Sequence, residues 1–242
     1  MRPRRARGTL SRMTDPTAGH PLDNVMWSAL TTLHADLVLG GALARRYRPE
    51  FAPFAGMPAY TPPAFEALAA DMARGEVCAM STPVDLDPGP AFEVLDRKDL
   101  VQMIGAVTGD VAGPDRFRVL GPADAPGMNA LVKLTAPGPW SARTPELGRF
   151  VGIEVDGRLV AMAGERMRVP GHTEISAVCC HPDFRGHGWP TALMRLVSQA
   201  IVARGQTPFL HVLGENAPAI ALYGKLGLRE RLRSRLLVLR RA

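Results

Sequence analysis

Residues 180–191 read Cys-His-Pro-Asp-Phe-Arg-Gly-His-Gly-Trp-Pro-Thr. An apolar run rich in β-formers, residues 173–180, precedes this stretch, and amphipathic helical spacing extends from Gly188 to Arg204. The pattern predicts a strand that leads through a glycine-containing turn into a helix. Glycine lets the backbone approach an anion closely, and the first turn of a helix has N–H groups without intrahelical partners. The turn is therefore a candidate phosphate site, although a glycine-rich turn without a ligand would show the same spacing.

Two nucleotide-binding motifs can be tested against this stretch. It contains no G-x-G-x-x-G of a dinucleotide site and no Gly-Lys-Ser/Thr that would coordinate a magnesium-bound triphosphate. A diphosphate held mostly by backbone amides fits the residues better. We therefore expect a ligand that carries a diphosphate.

The surrounding sequence has the pattern of an α/β domain. A linker is expected at Thr108–Pro114, where two glycines and a proline lie among polar residues. Asp156-Gly157 favours the positive φ angles of a two-residue hairpin turn. The predicted elements after the linker are strand 116–120, helix 122–135, strands 150–155, 159–167 and 173–180, helix 188–204, strand 208–213, helix 217–226 and strand 232–239.

Two spaced motifs identify a family resemblance. Arg185-x-x-Gly188 follows a strand, and about thirty residues later the sequence reads Asn216-x-x-Ala219-x-x-Leu222-Tyr223-x-x-Leu226-Gly227-Leu228. Together they resemble the two cofactor motifs of the GNAT N-acetyltransferase superfamily, and residues 116–242 resemble the whole GNAT domain in element order. The resemblance implies a mixed α/β sheet and transfer of an acetyl or short acyl group from acyl-CoA to a primary amine of a small molecule or protein. It implies no metal.

The resemblance also implies where coenzyme A would bind. The pantetheine arm would lie against the strand that presents Val178, Cys179 and Cys180, and Asn216 would approach the cofactor as well as cap its helix. The pyrophosphate would lie on Arg185, Gly186, His187, Gly188, Trp189, Pro190 and Thr191. Pro190 departs from the family's Gly or Ala and brings no N–H donor. We therefore expect weaker CoA binding, with Arg185 and His187 as compensating cations, unless His187 is only an exposed loop histidine.

Two residues are candidates for moving protons. Tyr223 falls at a motif tyrosine that the family often uses as the general acid toward the leaving thiolate; the alternative is an aromatic packed in a helix face. Glu174 lies eleven residues before Arg185, similar to the catalytic glutamate of the histone-acetyltransferase branch. On an apolar strand it would have a raised pKa and suit a base or water-positioner. The alternative for Glu174 is an ion pair with Arg166 or Arg168; His172 is a weaker candidate, and His211 and Glu215 receive no assignment.

Residues 14–112 contain no comparable motif. Their apolar spacing predicts helices at His34–Tyr47 and Pro62–Ala73, with short strands at residues 76–80 and 99–104. We expect a smaller companion domain, mostly helical or a degenerate GNAT-like module, that packs against a catalytic domain of residues 116–242 and shapes the acceptor cleft. Trp27, Tyr47 and Tyr60 could line that cleft or belong to a core.

The net charge of +6 comes largely from one end of the chain. Five arginines lie in residues 1–13, which we interpret as a disordered basic tail; a transit peptide or a nucleic-acid arm is the alternative. The tail lacks the apolar run of a secretory signal or membrane span, and the remaining near-neutral chain predicts no nucleic-acid partner. The competing function is a catalytically weak or inactive CoA-binding regulatory module. A homodimer is left open.

Cysteine usage predicts neither a metal site nor a disulfide framework. Cys78, Cys179 and Cys180 are three in number and lack the C-x2-C spacing of a zinc site. Their apolar surroundings indicate buried thiols in a reducing cytoplasm.

Overall fold

The structure is a computed structural model that describes residues 19–111 and 116–242. The predicted basic tail and residues 112–114 of the predicted linker lie outside the described residues. The helices are α1 (Val25–Thr31), α2 (Pro62–Ala70), α3 (Ala125–Thr135), α4 (Trp189–Ala203) and α5 (Ala217–Lys225). The strands are β1 (Val38–Gly40), β2 (Arg45–Tyr47), β3 (Ala55–Gly56), β4 (Val77–Thr82), β5 (Phe92–Ile104), β6 (Phe117–Leu120), β7 (Phe150–Val155), β8 (Arg158–Val169), β9 (His172–Cys180), β10 (Thr207–Leu213) and β11 (Arg229–Arg241).

Eight strands form one mixed sheet in the order β4-β11-β5-β10-β9-β8-β7-β6. The predicted α/β class and the element order after the linker are confirmed. Asp156 and Gly157, with φ of 51° and 76°, form the two-residue turn between β7 and β8. Helix α4 covers one face through buried Leu193, Val197 and Ile201, as its apolar spacing predicts.

The segment around residues 34–47 corrects one prediction. Instead of a helix over His34–Tyr47, the structure has a short 3-10 turn at Ala35–Leu37 followed by the antiparallel pair β1 and β2. The chain reverses after Gly40, whose φ of 99° suits glycine and interrupts a helix. Within the described part of residues 14–112 there are two α-helices and five strands, so the expectation of a mostly helical half is also wrong.

The large sheet crosses the predicted domain boundary. Strand β5 lies before the boundary, yet it pairs antiparallel with both β10 and β11, and β4 pairs with β11. A separate three-stranded sheet, β1-β2-β3, joins the edge at β4 through a bridge between Phe54 and Ala79. The division into a companion and a catalytic domain stays a prediction, and one sheet draws strands from both.

The pairing between β9 and β10 stops early. These parallel strands are paired only from Thr207↔His172 to Phe209↔Glu174, whereas β10 stays paired with β5 to its end. Strand β9 carries a bulge beyond this point, where Ala177 has a φ of 53°. Two β9 residues, Ala177 and Val178, there stand opposite one β8 residue. The sheet therefore opens between β9 and β10, on the side of the candidate phosphate turn.

Close packing at Gly164 generates a stability prediction. A Cβ at Gly164 would lie 2.2 Å from Phe150 Cδ1, its cross-strand neighbour on β7. Since the Phe150 ring is buried and cannot move freely, Gly164→Ala should lower the free energy of unfolding by about 1–3 kcal/mol. Urea denaturation measures this change.

Gly224→Ala is the matched control, because a Cβ there would meet nothing within 4 Å. Gly224 lies in α5, where alanine is the better helix former by about 1 kcal/mol. This variant should be unchanged or more stable. Equal loss in both variants would contradict the packing at Gly164.

Candidate active site

A cleft of about 550 Å³ opens where β9 and β10 separate. Its walls include residues 174–178 of β9, residues 210–213 of β10 and the turn 135–139 after α3. Met26 and Phe54, from the first half of the chain, also line it. Trp27, Tyr47 and Tyr60 are not among the lining residues; Tyr47 is fully buried and Tyr60 donates a hydrogen bond to the Ser81 carbonyl.

The candidate phosphate turn exposes its backbone to solvent. Gly186 and Gly188 have φ of 87° and 71°, and a Cβ at either would meet nothing within 4 Å. Glycine is therefore favoured by the backbone conformation, while the space beside it stays open. Gly188 is the N-cap of α4, and the first hydrogen bond of the helix runs from the Ala192 N–H to the Gly188 carbonyl at 3.2 Å. The earlier amides of Trp189 and Thr191 can meet an anion.

Aromatic stacking holds this turn. The His187 ring stacks on Trp189 at 4.7 Å between centroids, and Trp189 in turn stacks on Phe184 at 6.1 Å. His187 Nδ1 lies 3.1 Å from the carbonyls of Phe184 and Arg185. Both His187 and Arg185 are exposed, but the His187 side chain is engaged by the turn itself.

The two adjacent cysteines are buried and face different clusters of the core. Cys179 packs with the α3 side of the sheet and Cys180 with the α4 side. Burial raises the pKa of Cys179 to about 11 and also raises the pKa of Cys180. The expectation of buried thiols is met. These two residues can contact a ligand through their backbone N–H and C=O groups, not through a thiolate.

Tyr223 and Asn216 line the same cleft. The Tyr223 side chain is partly buried, and its hydroxyl has no hydrogen-bond partner among the described residues. Burial raises the pKa of Tyr223 above 10, so the phenol is protonated at neutral pH. The Asn216 side chain accepts a hydrogen bond from the Ala219 N–H at 3.2 Å and caps α5, as predicted.

Glu174 is fully buried at the point where the two strands part. Its oxygens accept hydrogen bonds from Arg166 Nε and Nη2 at 2.8 and 2.9 Å and from His211 Nδ1 at 2.8 Å. A weaker bond comes from the Met167 N–H at 3.3 Å. Burial raises the pKa of Glu174, but Arg166 and His211 outweigh that effect and lower the pKa to about 2. The predicted raised pKa is wrong, and the ion pair with Arg166 is what forms.

The network that holds His211 was not predicted from the sequence. Gln102 on β5 donates from Nε2 to the Leu22 carbonyl at 3.0 Å, and its Oε1 accepts from Arg231 Nη1 at 3.0 Å. The amide orientation is therefore fixed, so Gln102 Nε2 also donates to His211 Nε2 at 3.2 Å. His211 must then carry its proton on Nδ1, toward Glu174. His211 and Gln102 are cross-strand neighbours on β10 and β5. These strands are far apart in the sequence, so local sequence patterns do not reveal their pairing.

The remaining candidates lie elsewhere. His172 packs edge-on against the His20 ring, 4.9 Å between centroids, and neither His172 nor Glu215 lines the cleft. No group of metal-ligating side chains occurs within residues 19–111 and 116–242. In the same ranges no helix combines the length and apolarity needed to cross a membrane.

Removal of the Glu174 charge should destabilise the fold. Glu174→Gln leaves Arg166 as a buried cation without its counter-ion, a loss of about 3–5 kcal/mol in the free energy of unfolding. Because the folded pKa of Glu174 is about 2, below the ordinary 4.5, its stabilising contribution is complete above about pH 4.5 and is lost as pH falls toward 2. Denaturation at pH 7 and pH 3 should show the difference between parent and variant shrinking in acid.

Glu154→Gln is the control for this prediction. Glu154 pairs with Arg118 at 2.7 Å, but both side chains are about two-fifths exposed. Its replacement should cost about 0–1 kcal/mol. If Glu174→Gln cost no more, the buried ion pair would not stabilise the protein.

Comparisons with known proteins agree with this geometry. The family model of FR47-like proteins matches residues 150–237. A solved structure of a GNAT-family protein from Novosphingobium aromaticivorans is 37% identical, covers 93% of this chain and 100% of its own, and superposes with a TM-score of 0.84. No curated protein matches the sequence.

More distant structures share the fold. A GCN5-related N-acetyltransferase from Kribbella flavida is 18% identical with a TM-score of 0.58, and the match covers 90% of this chain and 94% of that one. A tandem GNAT protein from the clavulanic acid biosynthesis pathway is 15% identical with a TM-score of 0.53, over 82% and 78% of the two chains. With its nearly full-length 37% identity to the Novosphingobium protein, the chain belongs to the GNAT family.

Proposed function

We propose that this protein is an N-acyltransferase that moves an acetyl or other short acyl group from acyl-CoA to a primary amine. The observation that carries the proposal is the separation of β9 from β10 beyond Glu174. It leaves the edge of residues 175–178 facing a cleft that also contains Tyr223. The amides of a pantetheine arm can pair with such an edge like an added strand.

The residues around the cleft fit coenzyme A. The edge at Val178, Cys179 and Cys180 would hold the pantetheine arm, and Asn216 lies beside it in the cleft. The exposed turn Arg185–Gly188, with the amides of Trp189 and Thr191, would hold the diphosphate at the start of α4. Arg185 adds an exposed cation.

In the proposed reaction, one proton is donated by a side chain of the protein. The acceptor amine attacks the thioester carbon, a C–N bond forms, the C–S bond breaks, and Tyr223 donates its proton to the departing thiolate. The oxygen of the thioester gains charge in between, and we assign its stabilisation to backbone amides of the bulge at Ala177 and Val178. The protonated phenol in the cleft supports this assignment.

The proton of the amine needs another acceptor. Both carboxylate oxygens of Glu174 already accept hydrogen bonds, and the pKa of Glu174 is about 2. The lone pair on His211 Nε2 already accepts a hydrogen bond from Gln102. Neither is arranged as a base, so we assign the amine proton to water, and water returns a proton to the Tyr223 phenolate after the thiol has left. Glu174 instead positions Arg166 and His211 in the cleft wall.

One observation favours a second function. Pro190 occupies the second position of α4 and removes an N–H from the first helical turn. A weakly binding or inactive CoA-binding module would have this feature. Binding and turnover measurements separate the two functions.

Tyr223→Phe tests the general acid. The variant keeps the ring but lacks the proton donor, so kcat with acetyl-CoA and a good amine acceptor should fall about 100-fold or more. The Kd for CoA from calorimetry should not change. Thiol release measured against time gives kcat.

Tyr60→Phe is the matched control for Tyr223→Phe. Tyr60 is also largely buried, but its hydroxyl bonds the Ser81 carbonyl and does not line the cleft. This variant should keep kcat while losing some stability. Parental turnover by Tyr223→Phe would remove the general-acid assignment.

Pro190→Ala tests the diphosphate site. The change restores an N–H at the second position of α4, and one hydrogen bond to a charged acceptor should tighten CoA binding about fivefold or more. Affinity for pantetheine, which lacks the diphosphate, should stay the same. Equal effects on CoA and pantetheine would place the diphosphate elsewhere.

A further inference from the structure

We propose that the acceptor is a small amine that also carries a carboxylate, held by Arg166 at the end of the cleft. This inference rests on the proposed acyl transfer and names the class of its second substrate. A free amino acid with an apolar side chain is the simplest member of that class.

Arg166 has donors that the protein does not use. Its Nε and Nη2 bind Glu174, while Nη1 makes no hydrogen bond to any described residue. No fully sealed side-chain nitrogen or oxygen in the described ranges lacks a partner, so Nη1 must reach open space. Arg166 lines the cleft between β9 and β10. Arg166 as a whole is only 9% exposed, and a nearly buried guanidinium with a free donor beside a cleft is suited to an anion.

The guanidinium is fixed in place. Its carbon lies 4.8 Å from the centre of the Phe54 ring, and Glu174 holds its Nε–Nη2 edge through two hydrogen bonds. A preorganised planar donor binds a carboxylate with little loss of side-chain entropy. Since His211 is neutral, Glu174 balances the charge of Arg166, and what Nη1 offers a carboxylate is a fixed, charge-assisted hydrogen-bond donor.

The size and walls of the cleft suggest the rest of the ligand. Met26, Phe54, Leu100 and Leu236 provide apolar lining. The bulge at Ala177 lies three residues beyond Glu174, about 10 Å along an extended strand. The amine that meets the thioester and the carboxylate that meets Arg166 can therefore belong to one small molecule.

The other charged pair in the cleft is a weaker anchor. Lys98 Nζ lies 3.2 Å from Asp96 Oδ2, and their side chains are 38% and 44% exposed. Both side chains are solvated, so the pair gives little selectivity for charge. Arg166 is the buried cation with a donor still to place.

The test compares matched acceptors with the unmodified protein and acetyl-CoA. L-leucine and L-phenylalanine are each set against their carboxamide and their decarboxylated amine, and thiol release gives kcat/KM. The acids should be preferred about tenfold or more. The carboxamide holds a larger fraction of neutral amine than the acid at pH 7.5, so amine ionisation cannot produce a preference for the acid over the carboxamide, and this pair decides the test.

The outcomes separate the two proposals. Equal or better turnover of the amides and amines would overturn the carboxylate anchor and leave the N-acyltransferase intact. No turnover of any member would overturn the carboxylate anchor, and no turnover across a wider panel of primary amines, together with CoA binding in calorimetry, would overturn the acyl transfer as well and favour the CoA-binding module.

A variant gives a second readout. Arg166→Lys keeps the charge beside Glu174 but loses the planar edge, so KM for L-leucine should rise about tenfold or more while KM for acetyl-CoA stays the same. Arg204→Lys is the control, because Arg204 pairs with buried Glu165 at 2.8 Å outside the cleft. An equal rise of both KM values in Arg166→Lys, or the same rise in Arg204→Lys, would contradict a carboxylate contact.

Discussion

The buried contact between Arg166, Glu174 and His211 lies where the sheet divides, and the site depends on it. Backbone groups inside a protein need partners, so two central strands do not part without a structural cause. Here side chains from β8, β9 and β10 bond one another at the branching point, with all their sealed polar atoms satisfied. Beyond it the edge of β9 is free to bind a ligand. A carboxylate that elsewhere could serve as a base is here part of the framework.

Local sequence patterns were sufficient to predict the element order after residue 116 and the candidate phosphate turn. Gly186 and Gly188 adopt the positive φ that their spacing suggests, and Asn216 caps α5. The pKa of Glu174 was not predictable in this way, because its partners are on two other strands and their register is not visible locally. The helix expected at His34–Tyr47 failed because strand pairing and the reversal at Gly40 outweighed apolar spacing.

The first half of the chain contributes to the site as well as to the framework. Gln102 fixes the tautomer of His211, and Met26 and Phe54 line the cleft. Phe54 also supports the guanidinium of Arg166. The cleft is therefore lined from both halves of the chain, and under the proposed function the first half contributes to the acceptor side.

The placement of β5 has a consequence for how the chain reaches this state. Strand β5 is complete at residue 104, but its two partners begin at residues 207 and 229. On the ribosome it must wait for about a hundred further residues before either neighbour exists, and such distant pairings raise contact order and slow folding. During that interval the second half of β5, residues 100–104, which is buried in the finished protein, has no strand partner. We expect this topology to make the chain depend on chaperones during its synthesis. It does not by itself lower the stability of the folded protein.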